Sequence, residues 1–489
     1  MDEETPPPPK LRPPLQNSRN IRDFEPDERD LQKIRDWQKK RVEQQLQGQY
    51  TSAVQNLADV IEFNRDTPLR ISDVHVDTEG ERHTRPAFLY SLIEPLIPPP
   101  GTPSTLNTTL HTVRSIADVL HRTGIFERVD VELVRARAPL AGLRDVDLAV
   151  TLKEKNRFTA KSSTEVGNNE GTASLVANMR NAFGGAETMT ADISLGTTTR
   201  RAFNVLFTAP LTSSVRTFGE LHLFGTERDH STFASCTEGL RGARALVRSG
   251  TMTSGLHELA YEAAVRNIGS LLPEASLSMR EAAGQSVKSA LSHTFTLDTR
   301  GPERLGGVYL KTLHEFAGLG GSASFLKSET HAQVARAVGP PGVSVSLGLR
   351  SGLLWGLGGR PTLFPDRFQL GGPANVRAFR PNGLGPRDGA DAVGGDVYWA
   401  AGLSVMTPLP KKLDFGGKTH AWINAGRLDS LSAESLSTLV TRPSVSAGVG
   451  LSYAFGPVRL ELNFGVPLLA SKGDGARRGV QLCVGAEFL

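Results

Sequence analysis

Over roughly its last 330 residues the chain alternates apolar and polar side chains, for about 10 residues at a time, between glycine-rich turns. Val458, Leu460, Leu462, Phe464 and Val466 interleave with Arg459, Glu461, Asn463 and Gly465. Val343, Val345, Leu347 and Leu349 interleave in the same way with Ser344, Ser346, Gly348 and Arg350, and Leu259, Tyr261, Ala263 and Val265 with Glu258, Glu262 and Arg266. Side chains two apart share a face of a strand, so each segment carries one apolar and one hydrophilic face. A soluble sandwich has shorter strands and needs a second sheet to cover the apolar face. A tilted strand that crosses a bilayer needs about 9–11 residues. The pattern therefore predicts a transmembrane β-barrel over residues 156–489, and about 21 residues per strand and loop give about 16 antiparallel strands.

Hydropathy alone would call the chain soluble, because barrel strands average to mild polarity and there is no run of about 18 apolar residues to make a membrane helix. The 55 Lys and Arg against 51 Asp and Glu leave a net charge of +4, too even to favour nucleic acid as a partner. Cys236 and Cys483 have no metal-ligand spacing. Residues 1–26, rich in proline and charge, read as a disordered tail without a visible cleaved targeting segment. Residues 27–65 have patchy helical spacing; such a helix would pack on the next domain as a solvated element or serve as a contact arm. Residues 66–155 order as β-α-α-β-β. Leu106, Leu110, Val113, Ile116 and Leu120 form the stripe of an amphipathic helix that Gly124 would end, and Val146, Leu148, Val150 and Leu152 alternate as a strand.

One stretch, residues 356–395, breaks the strand rhythm and is too long for a turn. It contains RFQLGGPANVRAF and GLGP, and the strand VYWAAGLSVMTPLP follows it. This resembles the barrel superfamily of outer-membrane assembly factors, the bacterial surface antigen barrels, whose sixth external loop carries V/I-R-G-F/Y. The match falls on Val376, Arg377, Ala378 and Phe379. Residues 66–155 look like a single polypeptide-transport-associated (POTRA) domain, with TGIFERVDVEL as its helix-to-strand passage. HAWINAGRL and GVQLCVGAEFL also fit the pattern. One such domain without a signal peptide resembles the mitochondrial branch, the barrel subunits of the sorting and assembly machinery.

The resemblance implies a protein of the mitochondrial outer membrane, with its N-terminal domain in the intermembrane space. It further implies β-barrel precursors as clients, peripheral subunits and the lipid bilayer as partners, and no cofactor or metal. It also implies that Arg377 reaches into the lumen towards the thirteenth strand, where Asn424 and Gly426 stand. Bacterial relatives often place an acid there, and a neutral Asn424 would be a weaker anchor. Ala378 stands where the family has glycine, so either the backbone there is ordinary or the loop tip is rearranged.

No enzyme constellation is present: there is no G-x-S-x-G, no H-E-x-x-H and no phosphate-binding loop, while Ser292 and the adjacent His293 would face opposite ways. The activity expected is templated strand pairing at a lateral gate between the first and last strands. The first, with Arg157, Phe158, Thr159, Ala160, Lys161, Ser162, Ser163 and Thr164, is polar and poor in register-locking side chains, which suits either a gate or an ordinary lumen-lining edge. In the last, Arg477, Gly479, Leu482 and Val484 fit the polar-x-Gly-x-x-hydrophobic-x-hydrophobic signal of mitochondrial barrel clients, and Gly479 and Gly485 would permit a kink. A polypeptide-translocating channel or a metabolite channel are the alternatives.

Overall fold

The expected order strand, helix, helix, strand, strand is present ahead of the barrel, with one short strand added. The elements are β1 (Pro68–Glu79), α1 (Pro86–Ile93), β2 (Ser104–Thr105), α2 (Leu106–Arg122), β3 (Phe126–Arg135) and β4 (Asp145–Glu154). Together the strands make a sheet ordered β2-β1-β4-β3. Pro86 opens α1, where a missing N–H costs nothing. Gly124, at φ +72°, lets the chain leave α2 in the left-handed conformation that ends helices. Ile116, Val119 and Leu120 on α2 are buried, as are Leu148, Val150 and Leu152 on β4.

This is a computed structural model that describes residues 31–43 except 33 and 41, and residues 60–485 except 100–101, 103, 139–140, 143, 168–169, 301–305, 340–341, 410–416, 433–436, 438, 440 and 456–457. The expected tail (1–26), most of the second half of the expected helical segment and the last residues of the final strand lie outside these. Residues 34–40 are helical. The chain divides into two compact units, the first of residues up to Asp77 with Leu96–Ala117 and Asp130–Val150, the second of Thr78–Pro95, Asp118–Val129 and Thr151–Leu489.

Within the second unit, sixteen strands form one antiparallel sheet. They are β5 (Phe158–Gly167), β6 (Glu170–Arg180), β7 (Thr188–Gly196), β8 (Thr199–Pro210), β9 (Thr217–Asp229), β10 (Thr237–Thr251), β11 (Gly255–Gly269), β12 (Gly284–Asp298), β13 (Gly307–Gly321), β14 (Phe325–Ala337) and β15 (Ser344–Gly356). A six-residue helix, α3 (Leu277–Ala282), sits between β11 and β12. Between β15 and the next wall strand lies the long loop, with the small hairpin β16 (Arg387–Asp388) and β17 (Asp391–Ala392). The wall resumes with β18 (Val397–Pro408), β19 (Gly417–Asp429), β20 (Ser444–Phe455), β21 (Val458–Leu469) and β22 (Gly479–Gly485). Each wall strand pairs with the next in sequence; among the described residues the order ends at β5 on one side and β22 on the other.

The sheet is inside out by the standards of a soluble protein. Leu259, Leu291, Leu349, Trp355, Leu462 and Phe464 are exposed on one face, while Arg266, Ser346, Asn424, Glu461, Asn463 and Gln481 are buried on the other. This is the arrangement of a transmembrane β-barrel with a lipid-facing belt and a polar interior. Among the described residues no helix is long and apolar enough to cross a membrane. Leu349 stands midway along β15, opposite Ala332 and Ala401. Leu349→Arg should therefore destabilise the barrel by about 2–4 kcal/mol, read as a lower unfolding midpoint in lipid vesicles; an unchanged midpoint would mean that this face is not in hydrocarbon.

Candidate functional site

The loop between Gly356 and Val397 is a folded plug on the inner wall. Phe368, Leu370, Val376, Phe379 and Leu384 are buried in one cluster with Phe325, Leu354, Tyr398 and Leu428 of the wall. Gly352 faces this cluster because a Cβ there would lie 2.4 Å from the Tyr398 ring and 2.6 Å from that of Phe368. Isolated bridges Phe368 to Gly395 and Leu370 to Leu384 close the loop on itself, and a third, Phe379 to Ala476, ties its tip to the segment ahead of β22.

Arg377 sits at that tip and is 1% exposed. Its Nη2 donates to Glu461 Oε2 on β21 at 2.9 Å and its Nη1 to Asn424 Oδ1 on β19 at 3.1 Å. β19 is the thirteenth wall strand in the sheet order, so Asn424 lies where the resemblance put it. The anchor is nonetheless an ion pair, because Glu461, 0% exposed, supplies the acid from the fifteenth strand. Asn463 Nδ2 donates to the same carboxylate oxygen at 3.0 Å, and its Oδ1 lies 2.8 Å from His420 Nε2. A guanidinium buried this deeply is tolerable only when paired and hydrogen-bonded.

Glycines shape the socket. Trp422 lies flat on the inner wall, where a Cβ on Gly448 would come within 2.5 Å of its ring and one on Gly465 within 2.8 Å. The Arg377 guanidinium carbon is 5.4 Å from the centre of that ring. Gly426 makes room for Val376, whose Cγ2 would be 2.8 Å from an added Cβ.

Ala378 adopts φ +63°, so the backbone there is not ordinary: alanine takes the strained, left-handed conformation that glycine would favour. That conformation costs a non-glycine residue about 1–2 kcal/mol. It is held from both sides: its N–H donates to Gln481 Oε1 at 2.9 Å and its C=O accepts from the Arg477 N–H at 2.9 Å. Gln481 Nε2 also donates to the Phe379 carbonyl at 3.1 Å, and Ser446 Oγ to that of Arg377 at 2.6 Å. The tip thus touches each of the last four wall strands, β19 to β22.

The rest of the loop is fixed at the opposite wall. Arg266 on β11 and Asp366 form a buried ion pair at 2.6 Å. Lys327 Nζ donates to the Asp366 carbonyl at 3.0 Å, and within the wall beneath the loop Tyr398 Oη of β18 donates to Glu329 of β14 at 2.6 Å. Asp391 and Asp388 accept the Ser276 and Ser278 N–H groups at the start of α3, at 2.8 and 2.9 Å. The Ser278 N–H holds the Asp388 carboxyl below its ordinary range, so this contact is fully present at neutral pH and is lost only as pH falls through the depressed value. Cys236 packs beside Phe364, Ile268 and Met279, and burial pushes its thiol up to about 12.

The expected gate residues fall at the two ends of the sheet. Arg157 precedes β5 and donates to the Ala182 carbonyl at 2.8 Å, while Phe158 is 68% exposed. Thr159 through Thr164 pair with β6, and the four consecutive residues Lys161, Ser162, Ser163 and Thr164 are all exposed. Gly479 has φ +114° at the start of β22, Leu482 points outward, and Val484 and Gly485 pair with Leu460 and Arg459 of β21. Among the described residues no ladder joins β5 to β22. Glu461, Gln481, Ser446 and Trp422 are the contacts that sequence reasoning missed. Their inward phase is legible in the alternation; which of the inward polar residues meets the loop depends on strand stagger.

Residues 181–488 match the Omp85 superfamily domain. A SAM50-like protein of Schizosaccharomyces pombe is 32% identical over 89% of this chain and 94% of its own length. The chain belongs to the sorting and assembly machinery component 50 family of the Omp85 superfamily. The human member, the sorting and assembly machinery component 50 homolog, is 33% identical over 76% of this chain and 81% of its own length. Among solved structures, BamA from Haemophilus ducreyi lacking POTRA domains 1–3 superposes with a TM-score of 0.70, covering 85% of this chain and 84% of that one at 15% identity, which shows the shared fold. In this Omp85 barrel the departure at Ala378 leaves the arginine anchor intact.

Two outcomes follow. Arg377→Ala, which strands Glu461, and Glu461→Ala, which strands Arg377, should each destabilise the barrel by about 3–5 kcal/mol, with the double variant far from additive. Chemical unfolding in detergent measures this, and additive effects would deny the coupling. Cys236 should resist maleimide at neutral pH in the folded protein and become labelled in Asp366→Ala, where the loop loses its Arg266 anchor. Equal labelling of both would show that the loop does not cover it.

Proposed function

We propose that this protein folds and inserts β-barrel precursors into the mitochondrial outer membrane by pairing client strands with its own sheet edge. The single observation that carries the reading is the joint one at the end of the sheet: the loop tip is bonded to β22 through Gln481, and among the described residues the wall order ends there and at β5. A strand that enters hydrocarbon with unpaired N–H and C=O groups costs several kcal/mol per group. A template edge removes that cost by β-augmentation. β5 offers such an edge, and its exposed run Lys161–Thr164 has few large side chains to lock a register.

In this reading Arg377 is a positioning residue. It holds the loop against β19 and β21, and Gln481 relays that position to the last strand. The loop also fills space that a metabolite channel would keep open, which favours assembly over transport. Residues 66–155 would act as the POTRA domain on the intermembrane-space side, receiving precursors, and peripheral subunits would cover the opposite end.

Mitochondria carrying Arg377→Ala, or lacking residues 370–386, should integrate newly imported barrel proteins several-fold more slowly, while import of matrix proteins continues. Gln481→Ala should share the defect with a smaller effect. Normal client assembly in all three variants, each verified as a folded barrel, would defeat the loop's role.

A further inference from the structure

The outward face of β7 to β11 carries a hollow that the assembly reading does not use. Ile193, Phe203, Gly225, Arg241 and Val265 stand directly opposite one another across these five strands, so all lie on the lipid-facing side. One step nearer the end that carries the long loop, Leu195, Arg201, Glu227, Gly239 and Asn267 form the next row. Two glycines at the centre leave a depression of about 670 Å³. The Phe203 ring lies over Gly225, where a Cβ would meet it at 2.2 Å, whereas Gly239 is open, its nearest neighbour being the Asn267 carbonyl oxygen at 3.8 Å.

The charges here do not cancel. Arg201 pairs with Glu227 at 3.3 Å. Arg241 is exposed and, among the described residues, has no carboxylate within ion-pair distance. It stands in a row with Ile193, Phe203 and Val265, all exposed large apolar side chains. An unpaired guanidinium on the hydrocarbon side is costly, and the cost falls when the side chain reaches the phosphate level of the bilayer. Arg241 lies four residues inside the start of β10, on the order of 10 Å below the strand end once tilt is allowed. That depth is within reach of the headgroup region. Asn267, Thr237 and Gln285 line the same hollow with polar groups.

We infer that this hollow binds one membrane glycerophospholipid, with its phosphate on Arg241 and an acyl chain along Phe203 and Val265. The guanidinium fork matches two phosphate oxygens, the excess positive charge matches an anionic headgroup, and the apolar floor matches a chain. A protein partner would instead have to bring an acid into lipid to meet Arg241.

The test is native mass spectrometry of the full-length protein released from phosphatidylcholine nanodiscs doped with phosphatidylglycerol. Wild type should retain one phosphatidylglycerol. Arg241→Gln should lower that adduct about tenfold, as loss of a charge-assisted hydrogen bond implies, and Gly239→Leu, which fills the hollow without straining the strand, should abolish it. Arg336→Gln, an outward arginine on β14, should keep it. Heat-modifiable gel mobility confirms that each variant is folded. Wild-type occupancy in both hollow variants would overturn the inference, as would equal loss in Arg336→Gln, or capture of a protein rather than a lipid by a photo-crosslinker at Gly239 in native membranes.

Discussion

An unpaired backbone group in hydrocarbon sets the terms for everything in this molecule. It forces the wall strands into one continuous sheet. All the interior ladders satisfy their N–H and C=O groups by pairing with neighbours in sequence. Among the described residues that local solution ends at β5 and β22. The same cost that threatens an edge in lipid makes it attractive to any other strand, so the liability of the barrel and its proposed activity have one physical origin.

The loop between β15 and β18 bears directly on one of those ends. Its tip is held by a buried ion pair, and such a pair stabilises less than an apolar core of the same size would. What it supplies is geometry. With Arg377 fixed on Glu461 and Asn424, the left-handed turn at Ala378 aims one N–H and one carbonyl at a single side chain, Gln481 on β22. The strain at Ala378 is stored where the loop meets the last strand, and strain of this kind is typical of functional positions.

The wall was legible in the sequence because a period of two is strict: Leu460, Leu462 and Phe464 could face only away from Glu461 and Asn463, and they do. Arg377 was legible from the motif around it. Its acid was not, since Glu461 is 84 residues further on and only the stagger of three strands brings it there. Asn424 alone suggested a weaker anchor than the molecule has. On β22 the sorting pattern drew attention to Leu482, which points to lipid, whereas the residue that meets the loop is its neighbour Gln481. The helix α3 and its contacts with Asp388 and Asp391 were also hidden, because six residues carry too little periodicity to show.

The central claim is that a client strand pairs with the edge at β5. Site-specific crosslinking of a stalled barrel precursor in intact mitochondria tests it most directly, with cysteines placed one by one through the precursor's terminal strand and through residues 157–164. The account predicts crosslinks in an antiparallel or parallel register that shifts by one residue when the client cysteine does. Crosslinks confined to lumen-facing positions of β9 to β13, with none at β5, would contradict it and would mean that precursors thread through the barrel.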